Sequence, residues 1–300
     1  GLTPAQIRTA VRFAGLAAAP VKGASRRKAA AEPPMLDALI ERQLRNADQA
    51  LGRQPDAAIR PSPTQYSLDM LNVESRYEVP RIVAALKARG HGTLCFHGAP
   101  GTGKTALAEH IARELDRPLT IRRASDLVSK FVGETEQQMA AMFREAEAEK
   151  AVLLLDEADS FLQDRRNAQR TYEVTEVNEM LQGMERYNGI FVCTTNLMDS
   201  IDQAALRRFT FKIRFKPLTQ AQRERMFVVE ALGGDDAALT DALRSRLGKL
   251  EQLCPGDFAA VKRQVEILAE TLAPDEFLAQ LEAEHRIKPE VRESRTIGFH

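Results

Sequence analysis

Apolar residues change their spacing along the chain, and each change marks an element. Thr93-Leu94-Cys95-Phe96-His97 is a short apolar run of strand length. Leu107, Ala108, Ile111, Ala112 and Leu115 then fall on one helical face. Further strand candidates are 118–121, 151–155, 190–195 and 209–215. Between them lie two methionine-bearing helical stripes, Met139/Met142/Phe143/Ala146 and Val174/Val177/Met180/Leu181/Met184, which read as core. Apolar strands alternating with amphipathic helices predict an α/β fold, with a parallel sheet covered on both faces. In the last strand Phe209, Phe211, Ile213 and Phe215 alternate with Thr210, Lys212 and Arg214, a half-polar pattern that suits an edge.

After Lys216-Pro217 the strand pattern stops. Thr219 to Leu232 reads as a helix, with Thr219 and Gln222 placed for a capping box and Gly233-Gly234 ending it. Leu239/Leu243/Leu247 and Phe258/Val261/Val265/Leu268/Leu272 form two more stripes, and a short helix follows Pro274. Three regions are therefore expected: 1–63 a helical linker, 64–216 a large α/β domain, and 217–300 a small helical domain. Within the first, Leu2 to Leu16 resembles the helix opening at Pro255. It is either an unrelated Pro-started helix or the end of a preceding, related module. The chain opens on Gly rather than Met, which fits a piece of a longer protein.

Composition narrows the classes. Lys+Arg and Asp+Glu both number 42, so the whole chain is not marked for nucleic acid or membrane binding. Arg26-Arg27-Lys28 lies in an Ala/Pro-rich stretch and reads as solvated linker. No apolar run spans a bilayer and no signal-peptide pattern is present. The three cysteines, Cys95, Cys193 and Cys254, are far apart, and the first two sit in strand patterns. Buried thiols in a reducing, cytoplasmic setting are expected.

The chemistry lies at the ends of the strands. Gly98-Ala99-Pro100-Gly101-Thr102-Gly103-Lys104-Thr105 fits the phosphate-loop pattern between a strand and a helix, and Ala106 continues its first helical turn. Its glycines let backbone N–H groups turn inward, the helix N-terminus adds partial positive charge, and Lys104 adds a full one. The Thr105 hydroxyl can hold Mg²⁺. Ala151–Leu155 is an apolar strand ending in Asp156-Glu157. Asp156 can hold Mg²⁺ through its water shell, and Glu157 can take a proton from an attacking water. Asn196 ends the 190–195 strand, where a neutral amide can orient that water or touch the γ-phosphate. Arg207-Arg208 follows, and an arginine given to a neighbour's γ-phosphate accelerates turnover.

These residues, in this order, resemble the AAA+ ATPases, specifically the AAA proteins proper that include katanin, spastin and the FtsH-type proteases. The resemblance runs from about Tyr66 to the C-terminus. It assigns Gly98–Thr105 to Walker A, Leu153–Asp159 to Walker B, Asn196 to sensor 1 and Ile201–Phe209 to the run carrying fingers that act across a subunit boundary. It implies a five-stranded sheet in the order 5-1-4-3-2, a helical lid, ATP and Mg²⁺ between them, and a ring, usually a hexamer. Ser125–Glu134 resembles the pore-loop segment, with Lys130-Phe131-Val132-Gly133 at the positions that grip a polypeptide. Asp164–Arg170 is a weaker candidate for a second loop.

The departures bear on single residues. Ala99 stands where a proline is common. Arg208 runs straight into Phe209 without the Pro/Phe-Gly spacer of many relatives, so Arg207 and Arg208 share the finger candidacy. The lid helix opens Pro255-Gly256-Asp257, as in AAA proteins lacking a lid arginine. Gly256 is then expected to border the nucleotide, ahead of Lys262 and Arg263. The implied function is an ATPase that remodels, unfolds or threads proteins. Its alternatives are a nucleic-acid motor on the same fold, disfavoured by the charge balance, and a nucleotide-switched scaffold with little turnover.

Overall fold

Strands apolar on both sides need helices on both faces of their sheet, and the sequence supplies at least one helix between successive strands. The computed structural model describes residues 67–129, 131, 133–162, 171–198, 201–288 and 291. The expectations for 1–63, Lys130, Val132 and Asp164–Arg170 lie outside the described residues.

A 3₁₀ turn (Leu68–Met70) and strand β1 (Asn72–Glu74) lead into helix α1 (Val79–Arg89) and β2 (Gly92–Gly98). There follow α2 (Lys104–Glu114), β3 (Leu119–Arg123), the single turn α3 (Ala124–Leu127), α4 (Glu134–Glu149) and β4 (Val152–Asp156). A second 3₁₀ turn (Ala158–Phe161), α5 (Thr171–Arg186), β5 (Ile190–Thr195), α6 (Gln203–Arg208) and β6 (Phe211–Lys216) complete the sheet region. Helices α7 (Gln220–Ala231), α8 (Asp241–Gly248), α9 (Pro255–Leu268) and α10 (Pro274–Arg286) finish the chain.

The sheet order is β1-β6-β2-β5-β4-β3. Its five parallel strands reproduce the expected 5-1-4-3-2 order. The sixth, β1, corrects the reading of β6 as an edge: it pairs antiparallel with β6, Val73 opposite Phe215. Glu74 fixes that pairing through Lys216 at 2.6 Å. Three residues are too few to show a period, so β1 left no mark in the pattern. The polar half of β6 has another cause: Lys212 and Arg214 are exposed, so one face of this strand lacks a covering helix, whereas its edge is paired.

Alternation sends neighbouring residues to opposite layers. Leu153, Leu155, Phe191 and Cys193 join the α4 and α5 stripes. Val152, Leu154, Leu94, Phe96 and Val192 join Leu107 and Ile111 of α2 and Ile82 and Leu86 of α1. A third core, built on Phe227, Leu247, Leu253, Phe258 and Leu278, belongs to α7–α10. The Thr219–Gln222 capping box forms as expected, in both directions. All three cysteines are buried and none is in a disulfide. Helix α10, thirteen residues long, exceeds the short helix expected after Pro274.

One close approach sets the α4–α5 spacing. A Cβ at Gly183 would lie 2.3 Å from Phe143 Cε2. The Phe143 ring is held by Tyr187 and Phe191, each 5.5 Å away between centroids. Ala in a helix interior gains about 1 kcal/mol over Gly, while overpacking costs about 1–3 kcal/mol. With the ring clamped on two sides, the clash wins. Gly183→Ala should lower the urea unfolding free energy by about 1 kcal/mol. An increase would show that the ring yields freely.

Candidate active site

Parallel pairing brings the candidate site residues to one end of the sheet. Gly98, Asp156 and Thr195 all end their strands at the carboxyl side of the sheet, where ligand crevices form in open α/β folds. The loop after β2 turns through Gly98 (φ 140°), Gly101 (φ 73°) and Gly103 (φ 97°). A Cβ at Gly98 would sit 2.2 Å from the Phe215 carbonyl oxygen. Thr102 Oγ1 donates to the Ala99 carbonyl at 2.7 Å and pins the loop. Gly103 then starts α2 without any side-chain cap. The first-turn N–H groups of α2, over Lys104, Thr105 and Ala106, are left for an anion.

Lys104 is only 9% exposed. Its ammonium donates to the carbonyls of Gly98 (2.7 Å) and Ala99 (3.0 Å) and to Asn196 Oδ1 (2.9 Å). All three acceptors are neutral. Burial pulls its pKa below the ordinary 10.5, against the opposing pull of Asp156, Asp159 and nearby acids. A buried cation with no anion in hydrogen-bond range among the described residues fits a site for phosphate oxygens.

The acids come from β4. Thr194, on the neighbouring strand β5, donates its hydroxyl to Asp156 Oδ1 and accepts the Glu157 N–H at 3.0 Å. Glu157 is exposed, in the left-handed region at φ 56°. Thr195 donates to Asp159, which also receives the Leu197 N–H at 3.3 Å. The Thr105 hydroxyl has no partner among the described residues. No cluster of three His, Cys, Asp or Glu there forms a metal cage. The donors therefore suit Mg²⁺, which takes one or two protein oxygens and completes its shell with phosphate and water. They do not suit a cation that needs a full protein cage.

The last helices reach this loop. Gly256, at the start of α9, donates its N–H to the Gly101 carbonyl at 2.8 Å. A Cβ on Gly256 would lie 2.7 Å from Gly101 Cα. Lys262 instead pairs with Glu230 at 2.5 Å. Arg207 and Arg208 separate. Arg208 pairs with Glu185 at 2.7 Å and donates to the Ala204 carbonyl at 2.9 Å. Arg207 is exposed and no described residue bonds its guanidinium. Phe131 is 70% exposed, between Ser129 and Gly133 (φ 88°). Ser129 fixes this turn by accepting the Phe131 N–H at 3.2 Å and donating to Glu134 at 2.5 Å.

Residues 94–217 match the ATPase family associated with various cellular activities (AAA). They form an AAA domain. Spastin from Drosophila persimilis is 32% identical over 180 residues, which cover 57% of this chain and 22% of that protein. Uncharacterized protein ORF529 from Acidianus two-tailed virus is 34% identical over 148 residues, covering 44% of this chain and 28% of that protein. The matched segment is thus well under half of either relative. A chain in the structure of the Escherichia coli MS115-1 HORMA:CdnC:Trip13 complex superposes with a TM-score of 0.55 at 19% identity, covering 73% of this chain and 97% of that one. At that identity the likeness concerns the fold. Among the described residues no helix is long and apolar enough to cross a membrane.

Around the AAA domain the structure adds residues that the sequence reading passed over. Gln222, read only as a cap, donates its amide to the carbonyls of Asp69 (3.0 Å) and Leu71 (2.9 Å). Leu71 in turn backs the loop, since a Cβ at Gly103 would sit 2.5 Å from its Cδ2. Segment 68–72 is therefore wedged between the phosphate loop and α7. Thr194 and Thr195 carry no mark of their own in the sequence, because their partners Asp156, Glu157 and Asp159 come from the end of β4 and the turn after it.

Lys104 carries a pH consequence. Its folded pKa lies below the unfolded 10.5, so between these values the unfolded chain binds more protons. The penalty for burying the charge is present at neutral pH and is lifted as pH rises through the lowered pKa. In ligand-free protein, the difference in thermal midpoint between wild type and Lys104→Met should shift toward wild type as pH rises toward 10.5. A pH-independent difference would mean that the ammonium is not desolvated.

Proposed function

We propose that this protein binds and hydrolyses ATP with Mg²⁺, assembles into a ring, and uses the cycle to remodel or thread polypeptides. The observation that carries the nucleotide reading is the buried Lys104 ammonium, held by neutral oxygens beside Asp156 and Glu157. In this reading Gly98–Ala106 and Lys104 hold the phosphates, and Thr105 and Asp156 hold the cation. Mg²⁺, when bound, neutralises charge on the transferring phosphoryl group. Glu157, outside the carboxyl–threonine pairing of Asp156, takes a proton from water, and Asn196 orients that water. Residues 64–216 act as the motor domain and 217–300 as a lid, coupled to the loop where Gly256 meets Gly101.

The ring proposal rests on the arginines. Arg208 is committed within its own chain, and its backbone carbonyl also receives the Thr93 hydroxyl at 2.6 Å. Arg207, exposed at the end of α6, is the one available to a second copy. We assign the trans finger to Arg207 and a bracing role to Arg208. An exposed aromatic at Phe131, ahead of Gly133, supports a grip on polypeptide, because an aromatic face contacts varied side chains without demanding a sequence. The balanced charge favours a protein substrate over nucleic acid. A cytosolic setting with reduced cysteines belongs to the same proposal.

Glu157→Gln should keep nucleotide binding and lose turnover by about 10²–10⁴-fold. Arg207→Ala should keep binding and the thermal midpoint while turnover falls by about 10³-fold or more. Arg208→Ala should lower the midpoint as well. Mixed rings of Arg207→Ala and Glu157→Gln subunits should recover activity at interfaces with one sound base and one sound finger. Recovery absent from verified mixed rings argues against shared sites, and full activity in a monomer refutes them.

Phe131→Ala should leave the midpoint and basal turnover near wild type, because the ring buries little. Unfolding of a tagged test protein, and stimulation of turnover by unfolded polypeptide, should fall sharply, with Phe131→Tyr retaining both. Stimulation by DNA instead of polypeptide would overturn the substrate assignment.

A further inference from the structure

Thr194 joins the two acids of the site into one unit. Its side chain is 1% exposed, on β5 at the level where β4 ends. A threonine hydroxyl has one proton to give and lone pairs to accept with. Here the proton goes to Asp156 Oδ1, and a lone pair takes the Glu157 N–H at 3.0 Å. The chain of bonds therefore runs from the Glu157 backbone, through the hydroxyl, to the Asp156 carboxylate. One Asp156 oxygen is committed by this bond. The Glu157 backbone is tethered at the residue that adopts the left-handed conformation, uncommon for a residue with a Cβ.

The adjacent hydroxyl does not duplicate this. Thr195 gives its proton to Asp159 and accepts the Leu197 N–H at 3.0 Å. Nor does the fold call for a hydroxyl at 194. Every residue of β5 is buried, and a valine there would suit a central strand at least as well. The hydroxyl's partners are the two residues to which the cation and the water chemistry are assigned.

We propose that Thr194 is a positioning residue for divalent-cation-dependent turnover. It fixes which Asp156 oxygen stays free for the cation and sets the backbone from which the Glu157 carboxylate projects. The inference rests on the ATPase reading above and goes beyond it in making cation affinity and base placement depend on one buried hydroxyl. Phosphate binding by the loop and Lys104 does not pass through Thr194. Its loss should therefore be felt only when the cation is present.

The test compares the full chain with Thr194→Val and Thr194→Ser. A fluorescent ATP analogue is titrated with Mg²⁺ and with EDTA, Mg²⁺ is titrated in the turnover assay, and thermal midpoints are recorded. Thr194→Val should match wild type in EDTA and lose the gain in affinity that Mg²⁺ brings. Its half-saturating Mg²⁺ should rise, and kcat fall, by about 10-fold or more. Thr194→Ser should restore both. Unchanged Mg²⁺ dependence in the Val variant would overturn the proposal, as would equal affinity losses with and without Mg²⁺, or failure of Ser to rescue. If Thr194→Val does not fold, Thr194→Ala is measured the same way. Failure of both to fold would make the hydroxyl structural and the assignment wrong. Wild-type turnover beside an unaltered Val variant sinks this inference alone. A wild-type chain that binds no nucleotide sinks the parent reading with it.

Discussion

The ammonium of Lys104, out of water and among neutral oxygens, is the constraint on which the geometry of this molecule turns. A charge so placed is costly in the empty protein, and burial lowers its pKa accordingly. Holding it there requires two strand ends to arrive at one level: that of β2, with Gly98 and Ala99, and that of β5, with Asn196. That alignment follows from parallel pairing of β2 with β5, where His97 stands opposite Thr195. The two apolar layers, the order of the strands and the left-handed glycines of the loop can all be seen as the conditions for presenting one cation. Structure elsewhere is stabilised by burial; at Lys104 burial of the charge costs stability locally.

Much of this was legible because it is local. A glycine-rich octet between strand and helix patterns, and an apolar run closing on Asp156-Glu157, are contiguous signals whose chemistry needs little tertiary context. The capping box at Thr219 and the methionine stripes of α4 and α5 are likewise read from spacing alone. What escaped depends on neighbours distant in sequence. Strand β1 is three residues long, and only its pairing with β6 makes it a strand. Thr194 and Thr195 look interchangeable at the end of β5, yet alternation sends one hydroxyl to Asp156 and the other to Asp159. Arg207 and Arg208 were equivalent in one dimension. On a six-residue helix one of them turns back to Ala204 and Glu185, and the other does not.

Polar side chains near the site act more by commitment than by strength. Glu185 engages Arg208, Thr194 engages Asp156, and Thr195 engages Asp159. Each pairing is modest in energy: a partly exposed ion pair contributes about 1 kcal/mol or less, and a hydrogen bond to a carboxylate about 1.5–3 kcal/mol. Their effect is to remove alternatives: among the described residues no partner engages Arg207, the Glu157 carboxylate or the Thr105 hydroxyl. A site built this way is sensitive to conservative changes that leave the fold intact.

The meeting of Gly101 with Gly256 has a different kind of consequence. It is a joint of main chain against main chain, one N–H to one carbonyl, with no side chain from either partner in between. Such a joint ties loop to helix through the backbone alone, whichever residues clothe the rest of α9. The outer surface of that helix, including the exposed Ile267 and Leu268, is thereby released from any duty to the loop.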